Sequence, residues 1–519
     1  MNHCRAAASA ALFLFFTSFG ALAETVTLSS QTGGFAMRGT LMGYDGEFYR
    51  LDTEHGVLSL DAARVECSGA GCPDLDGFVP VVTFSGARAL GETLLPALIE
   101  TFASRNGYSV TRDVVDDLTF SYELAERSGG SAVGRFDFRL TSSDEGMADL
   151  LAEVADIALS LREATGAEIA AGRGSLLGDL NGRGRSRIIA LDGIVPLVSV
   201  GNPLAEIGLS QLRSIFAGEI ADWSELTGLE QPITLHLRDD ASGQAQAFLT
   251  RVMGRETALA EGITRHDSNA AIADAVARDP GALGIGSYSE MGNAMPVALK
   301  GPCGFASVAS ETSLKTEDYP LTAPLFAYLP NYRLPQIGRR FLAYMNSPAA
   351  QPVIRRAGFV DQFPRAIPLD AQGHRFATAI ARAGDEIGLS DLQRLVRVLS
   401  NMTRLTLTFR FEDGAAQLDP QSRSNIALLG EALERGVFDD RALVFVGFSD
   451  GLGPAGLNRR LSRERARTVR DAVRRASHGA SDAALPELEI EAFGEAMPMA
   501  CDETEWGRGV NRRVEVWLR

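Results

Sequence analysis

Ile233-Thr234-Leu235-His236-Leu237-Arg238-Asp239-Asp240-Ala241-Ser242-Gly243-Gln244 reads as a strand that stops in a Ser/Gly loop and restarts as a helix through Phe248 and Met253. The same grammar occurs twice upstream. Val81–Phe84 leads into Ser85-Gly86-Ala87-Arg88 and a helix through Leu94, Leu95, Leu98 and Phe102. Phe136–Thr141 leads into Ser142-Ser143-Asp144-Glu145-Gly146 and the helix Met147–Ala155. Apolar strand-like runs alternating with helical periodicity across 79–365 mark an α/β domain. A helix start presents unpaired N–H groups and partial positive charge, so three converging starts make an anion site without lysine. Arg238, at the mouth of the third loop, can add a bidentate fork to an oxyanion. Asp240 can only accept, which favours an oxyanion that still carries a proton, hydrogen phosphate over sulfate. A serine-capped helix after a strand is also an ordinary feature of α/β proteins, so one such loop alone carries no ligand.

Four motifs come in order: Ala190-Leu191-Asp192-Gly193-Ile194-Val195, Ile215-Phe216-Ala217-Gly218-Glu219-Ile220-Ala221-Asp222-Trp223, the Arg238-x-Asp240-x-Ser242-Gly243 already quoted, and Asp279-Pro280-Gly281-Ala282-Leu283-Gly284. With them, 79–365 resembles the phosphate-type periplasmic substrate-binding proteins of ABC importers. The resemblance implies a type II periplasmic-binding-protein fold, two α/β lobes joined by crossover strands with the ligand between them. It implies a ligand shell of Ser85, Gly86 and Arg88, then Ser142 or Ser143, then Arg238, Asp240, Ser242, Gly243 and Gln244. The chain departs from that pattern. Gln244 stands where the family has Thr, Arg88 sits in a loop that ordinarily ends in a small hydroxyl residue, and Asp144-Glu145 adds carboxylates. The segment Asp156–Arg162 also lacks an aspartate that some members place after the serine. Lost hydroxyls and added negative charge both oppose a dianion. Arg88 either clamps a larger carboxylated or phosphorylated ligand or pairs with Asp144 or Glu145 and closes the cleft.

Residues 401–519 read as a strand at Leu405–Phe411, a helix at Ser424–Leu433, a buried strand at Ala442–Phe448 and a helix from Leu457 to Ala476. On a helical wheel with Leu457 at zero, Arg465 falls at about 80°, inside an apolar arc that also holds Leu461, Ala472, Val469 and Val473. A charge there is costly unless paired or bound, and Asp450 is the obvious neighbour. Ser449-Asp450-Gly451-x-Gly453, Asn458-x-x-Leu461-Ser462-x-x-Arg465-Ala466 and Gly507-Arg508-Gly509-Val510-Asn511-Arg512-Arg513-Val514-Glu515 resemble the OmpA C-terminal-like peptidoglycan-binding domain, an α+β sandwich. The resemblance implies that Asp450 accepts from the ammonium of a diaminopimelate residue in the stem peptide while Arg465 grips its carboxylate. Asn458 would add a neutral hydrogen bond. Arg512 either joins the ligand or braces the last strand.

Ahead of these lies 24–78, with short strands at Thr25–Ser29, Ala36–Gly43, Phe48–Asp52 and Val57–Leu60 and turns at Asp45-Gly46 and His55-Gly56. This is a small β-barrel-like module, read as a spacer or docking element. Residues 1–23 read as a signal peptide: Arg5, an apolar Ala6–Phe19, and Ala21-Leu22-Ala23 before a cut at Glu24. No cysteine follows the cut, so a lipoprotein is not expected. In an oxidising compartment Cys67 and Cys72 are expected to pair across their short loop, while a Cys303–Cys501 bond stays open. Residues 366–400 are a helical linker whose Leu392, Leu395, Val396 and Leu399 pack against the last domain.

The whole is therefore a multidomain α/β chain of 519 residues with a formal charge of −16, which excludes a nucleic-acid partner reached by bulk electrostatics. Six scattered histidines form no metal spacing, and no Ser–His–Asp or Cys–His arrangement suggests an enzyme or a cofactor. The expected function is a solute-binding protein for phosphate or another oxyanion in the periplasm of a Gram-negative bacterium. It would be tethered non-covalently to peptidoglycan, near the outer membrane, and served by an ABC permease or an envelope protein. The competing class is a non-transport envelope docking or scaffold protein whose cleft has diverged.

Overall fold

A computed structural model describes residues 25–182, 184–240, 242–254, 257–411, 417–477 and 485–519. The expected signal segment 1–23 and its cut at Glu24 lie outside the described residues. The chain divides into two compact units, Met1–Pro80 and Val81–Arg519.

The first unit is a five-stranded antiparallel sheet in the order Gly56–Asp61, Phe48–Thr53, Ala36–Tyr44, Thr25–Ser30, Val65–Ser68. The fifth strand escaped the sequence reading because it is short and follows a single turn, Ala62–Arg64. That turn joins the two opposite edges of the sheet. Flat edges would stand about 19 Å apart, whereas the link from Asp61 to Val65 spans at most about 14 Å. The sheet must therefore curl, which makes it barrel-like around Val26, Leu28, Tyr49, Leu51 and Val65. Cys67 and Cys72 are joined by a disulfide.

In the second unit, the α/β part has two lobes. The first is built on Val81–Ala87, Tyr108–Val114, Thr119–Glu126, Ala132–Thr141 and Ile157–Ser160, around Phe84, Phe102, Phe136, Phe138 and Phe341. The second is built on Thr234–Arg238, Thr264–His266 and Ala282–Ser287, around Phe216, Trp223 and Phe248. Ser186–Val198 connects them. Its first half pairs antiparallel with Thr322–Tyr328, and its second half, Ile194–Val198, pairs with Ala282–Ser287. One strand thus serves both lobes, with a bulge between Ile188 and Ala190 near the crossing.

The C-terminal part is a sheet ordered Ala366–Ile367, Thr403–Arg410, Arg513–Leu518, Leu443–Phe448, Leu488–Gly494. Successive side chains of Leu443–Phe448 face opposite ways. Leu443 and Phe445 pack with Leu429, Ala466 and Val469 from the helices Pro420–Glu434 and Ala455–Ala476. Val444, Val446 and Phe448 pack with Ala379, Leu395 and Leu399 from Gly373–Ala381 and Leu389–Leu399. Residues 366–400 are therefore a third layer of this domain, not a connector.

The helix Ala455–Ala476 buries Asn458, Ser462, Ala466, Val469 and Val473, while Leu457 and Leu461 remain exposed. The expected apolar arc is thus turned by about 60°. The cause is a close approach of backbones: a Cβ on Gly447 would stand 2.0 Å from the Ser462 carbonyl oxygen and 3.3 Å from the Ala466 Cβ. Only the small-residue face of the helix fits there. Arg465 consequently sits at the rim of the buried face rather than in its middle, half-buried, with its guanidinium 5.7 Å from the centre of the Phe411 ring.

Candidate functional site

The three strand–helix junctions do come together, though not as three loops. Ser85, Gly86 and Ala87 belong to the strand Val81–Ala87 and pair with Arg139, Leu140 and Thr141, and the helix begins directly at Arg88. Gly86 (φ +125°) is required because a Cβ would stand 2.2 Å from the Leu159 carbonyl oxygen. Ser85 is buried, and its hydroxyl donates to Asp149 at 2.5 Å. Arg88 neither faces a ligand loop nor meets Asp144 or Glu145. It pairs with Glu92 one turn along its own helix, at 2.7 Å, because an i,i+4 partner is the nearest available carboxylate. Asp144 is held by Arg162, which also grips Glu168 at 2.7 Å.

Ser142 caps the helix Ser143–Leu151, its Oγ accepting from the Glu145 N–H at 3.1 Å. Ser143 Oγ accepts from the Leu161 N–H at 3.0 Å. Ser242 caps Gly243–Phe248 in the same way, accepting from the Ala245 N–H at 3.2 Å. The second and third junctions meet across the lobes: a Cβ at Gly243 would stand 2.8 Å from Ser143 Oγ and 3.1 Å from Leu161 Cδ1. Gln244 is buried and donates to the Ile285 carbonyl at 3.2 Å.

Asp240 does not enter the cleft. Its side chain is 75 % exposed and pairs with Arg265 at 2.9 Å, so the role of proton-reading acceptor falls away. Arg238 does lie inside. It is 7 % exposed, its Nη2 is 3.5 Å from Asp239 Oδ2, and its Nε has no hydrogen-bond partner among the described residues. One carboxyl not singled out from the sequence, Glu290, lies near it, and Asp192 lies near Glu290. Burial, then the nearby Asp192, push the Glu290 carboxyl up, while Arg238 pulls it down. Burial also raises Asp192, against hydrogen bonds from Ser287 and Ser289 at 2.5 and 2.9 Å. Asp192 stood inside a quoted motif; Glu290 had no local signal, because only the fold brings it to Arg238.

In the C-terminal domain Asp450 pairs with Arg512, not with Arg465, at 2.9 Å. Asp450 ends the strand Leu443–Phe448 by a short loop, and Arg512 follows the helix Glu505–Asn511, so the two ends converge. Arg465 completes the group. Burial and then Arg512 lower its hold on the proton, and Asp450 raises it. Asn458 is 2 % exposed and donates to Glu495 and, at 3.3 Å, to the Gly453 carbonyl, so it braces the loop instead of reaching a ligand. Asn511, buried, was missed as a separate element: it accepts from the Met499 and Ala500 N–H groups at 2.7 and 3.1 Å and donates to Asp502 at 2.8 Å. Asp502 in turn accepts from the Gly451 N–H at 2.8 Å, which fixes the turn that carries Asp450.

Residues 81–349 match the family model of the PBP superfamily domain, and residues 410–512 match that of the OmpA family. The chain belongs to the PBP superfamily, here fused to an OmpA-type domain. It is 29% identical over 188 residues to the phosphate-binding protein PstS of Bacillus subtilis, covering 36% of this chain and 60% of that protein. It is 31% identical over 106 residues to the outer-membrane lipoprotein YfiB of Pseudomonas aeruginosa, covering 20% of this chain and 59% of that one. The matched regions therefore span about 60% of the length of either relative. An ABC-type phosphate transport receptor from Vibrio cholerae aligns at 18% identity with a TM-score of 0.41, covering 54% of this chain and 99% of that one.

Proposed function

We propose that the protein is a periplasmic binding protein for a small oxyanion, held to the cell wall through its C-terminal domain and without catalysis of its own. The carrying observation is Arg238, a buried guanidinium whose Nε lacks a partner among the described residues, on the strand that leads to the contact of Gly243 with Ser143. An unpaired buried N–H costs about 1–3 kcal/mol and calls for an acceptor. The capped helix starts at Ser142 and Ser242, which meet at that contact, also present N–H groups. Glu290 beside Arg238, itself near Asp192 and Glu92, favours a ligand with a single negative charge or a retained proton. Phosphate, named for PstS, is the first candidate, taken as its monoanion. A permease or envelope partner would receive the ligand.

Asp450, Arg465 and Arg512 support the wall attachment, since a carboxylate flanked by two guanidinium groups matches the ammonium and carboxylate of diaminopimelate. Titration calorimetry of the full chain with phosphate at pH 6 and pH 8 tests the cleft. Heat at pH 6 that weakens at pH 8 supports a monoanion site; no heat at millimolar phosphate at either pH removes phosphate. In that event the docking reading leads. It draws on a specific observation, that Arg88, Asp240 and Gln244 are all paired within the chain.

A further inference from the structure

Between the α/β part and the C-terminal domain lies a solvent-open cavity of about 410 Å³. Neither the cleft nor the Asp450 group uses it. The α/β side contributes Glu317, Tyr319 and Thr322, and the C-terminal side contributes Phe411, Gln421 and Trp506. It shares walls with the wall-binding group. The Phe411 ring that lines it also lies beneath Arg465, and Gly509, another lining residue, would bring a Cβ to 4.0 Å from Arg512 Nη2.

The chemistry of the lining is specific. Gln421 is 4 % exposed, yet its Oε1 accepts no hydrogen bond among the described residues. Glu317 Oε1 is likewise buried without a partner, while its other oxygen lies 3.4 Å from Arg410 Nη1. Burial, helped by Asp419, pushes the Glu317 carboxyl up to about 8, so at neutral pH it is largely an uncharged acid. Gln421 Oε1 thus lacks a donor, and the neutral Glu317 carboxyl offers one O–H together with acceptor capacity, beside the lining guanidinium groups of Arg251 and Arg410. Trp506, half-exposed, and Phe411 add flat apolar faces. A purely apolar guest would leave these polar atoms unpaired.

We propose that this cavity is a second wall subsite, which holds the N-acetylated amino sugar of the fragment whose diaminopimelate sits at Asp450, Arg465 and Arg512. Its amide N–H or a hydroxyl donates to Gln421, its hydroxyls and amide carbonyl pair with Glu317, and its ring lies on Trp506. The proposal rests on the wall-attachment reading, and it makes the α/β part a direct participant in wall binding.

The test is titration of the full chain with two soluble probes, the diaminopimelate stem peptide alone and the same peptide carried on its disaccharide. The disaccharide peptide is expected to bind about tenfold tighter than the stem peptide. Gln421→Leu and the surface change Trp506→Ala should each remove that gain and leave the stem-peptide affinity unchanged. Equal binding of the two probes by the wild type, or an equal loss for both probes in the variants, overturns the subsite alone. No binding of the stem peptide overturns the wall-attachment reading, and this subsite with it.

Discussion

Cys303, in the second lobe of the α/β part, is bonded to Cys501, in the segment before the helix Glu505–Asn511, across a sequence separation of 198. Gly301 makes room for the bond, since a Cβ there would stand 2.5 Å from Cys501 Sγ. The same two parts are joined by buried charges: Asp318 meets Arg404 at 3.3 Å and Arg410 at 3.4 Å, and Arg404 reaches on to Glu515. The α/β part and the C-terminal domain thereby belong to one compact unit.

Removal of the disulfide should cost stability more than shape. A closed loop of that length limits the unfolded chain by up to about 5 kcal/mol in the chain-entropy account. The double variant Cys303→Ser with Cys501→Ser is expected to melt lower, while small-angle scattering stays unchanged because the ion network persists.

Loss of wall binding should follow Arg465→Ala and Asp450→Ala in a peptidoglycan pull-down. Asn458→Ala should instead act on stability, since its amide joins the Gly453 carbonyl to Glu495. Retained pull-down in both charge variants would remove the assignment. A destabilised but fully binding Asn458→Ala would agree with it.

For the cleft, Arg238→Ala is expected to weaken phosphate binding by about ten- to a hundredfold, the worth of one charged hydrogen bond. Asp240→Asn should leave the preference between phosphate and sulfate unchanged, because Asp240 is exposed on Arg265. A change of selectivity in that variant would return Asp240 to the site.

Glu317 should make the protein less stable as pH rises. Its carboxyl, raised to about 8, keeps a proton that the unfolded chain has released above the ordinary carboxylate range. The contribution is complete at acid pH and fades by about 1.4 kcal/mol per pH unit between the unfolded value and pH 8. Chemical denaturation of Glu317→Gln from pH 5 to 8 should show a flatter profile than the wild type.

Glu515 has the opposite sign. Burial alone would raise its carboxyl, but Arg375, Arg404 and Arg513 hold it far below the usual range. Its contribution is present above the ordinary carboxylate pKa and is lost only as pH falls toward the depressed folded value. At neutral pH, Glu515→Gln should cost about 3–5 kcal/mol by leaving buried guanidinium groups uncompensated, measured by denaturant unfolding.

Local pattern was enough for the architecture. The strand–Ser/Gly–helix repeat, the Ala190–Val195 motif and the three C-terminal motifs are written in neighbouring residues, and period-2 and period-3.6 alternation translate directly into strands and helices. The helix caps at Ser142 and Ser242 were legible for the same reason, since a cap bonds within its own turn. The pairing of Cys67 with Cys72 also needs only five intervening steps of chain.

Partnership over long distances was not legible. Asp240 chose Arg265, and Asp450 chose Arg512 over Arg465, each because the folded backbone set which opposite charge stood nearest. The phase of the helix Ala455–Ala476 was decided by Gly447, a missing side chain on another strand, which admits Ser462 and Ala466 and turns the leucines outward. Periodicity therefore marked most strands and helices, and the ordered motifs carried the resemblances from which the two lobes and the sandwich were expected. Packing and charge pairing between residues far apart in the chain determined which side chains remain available to a ligand.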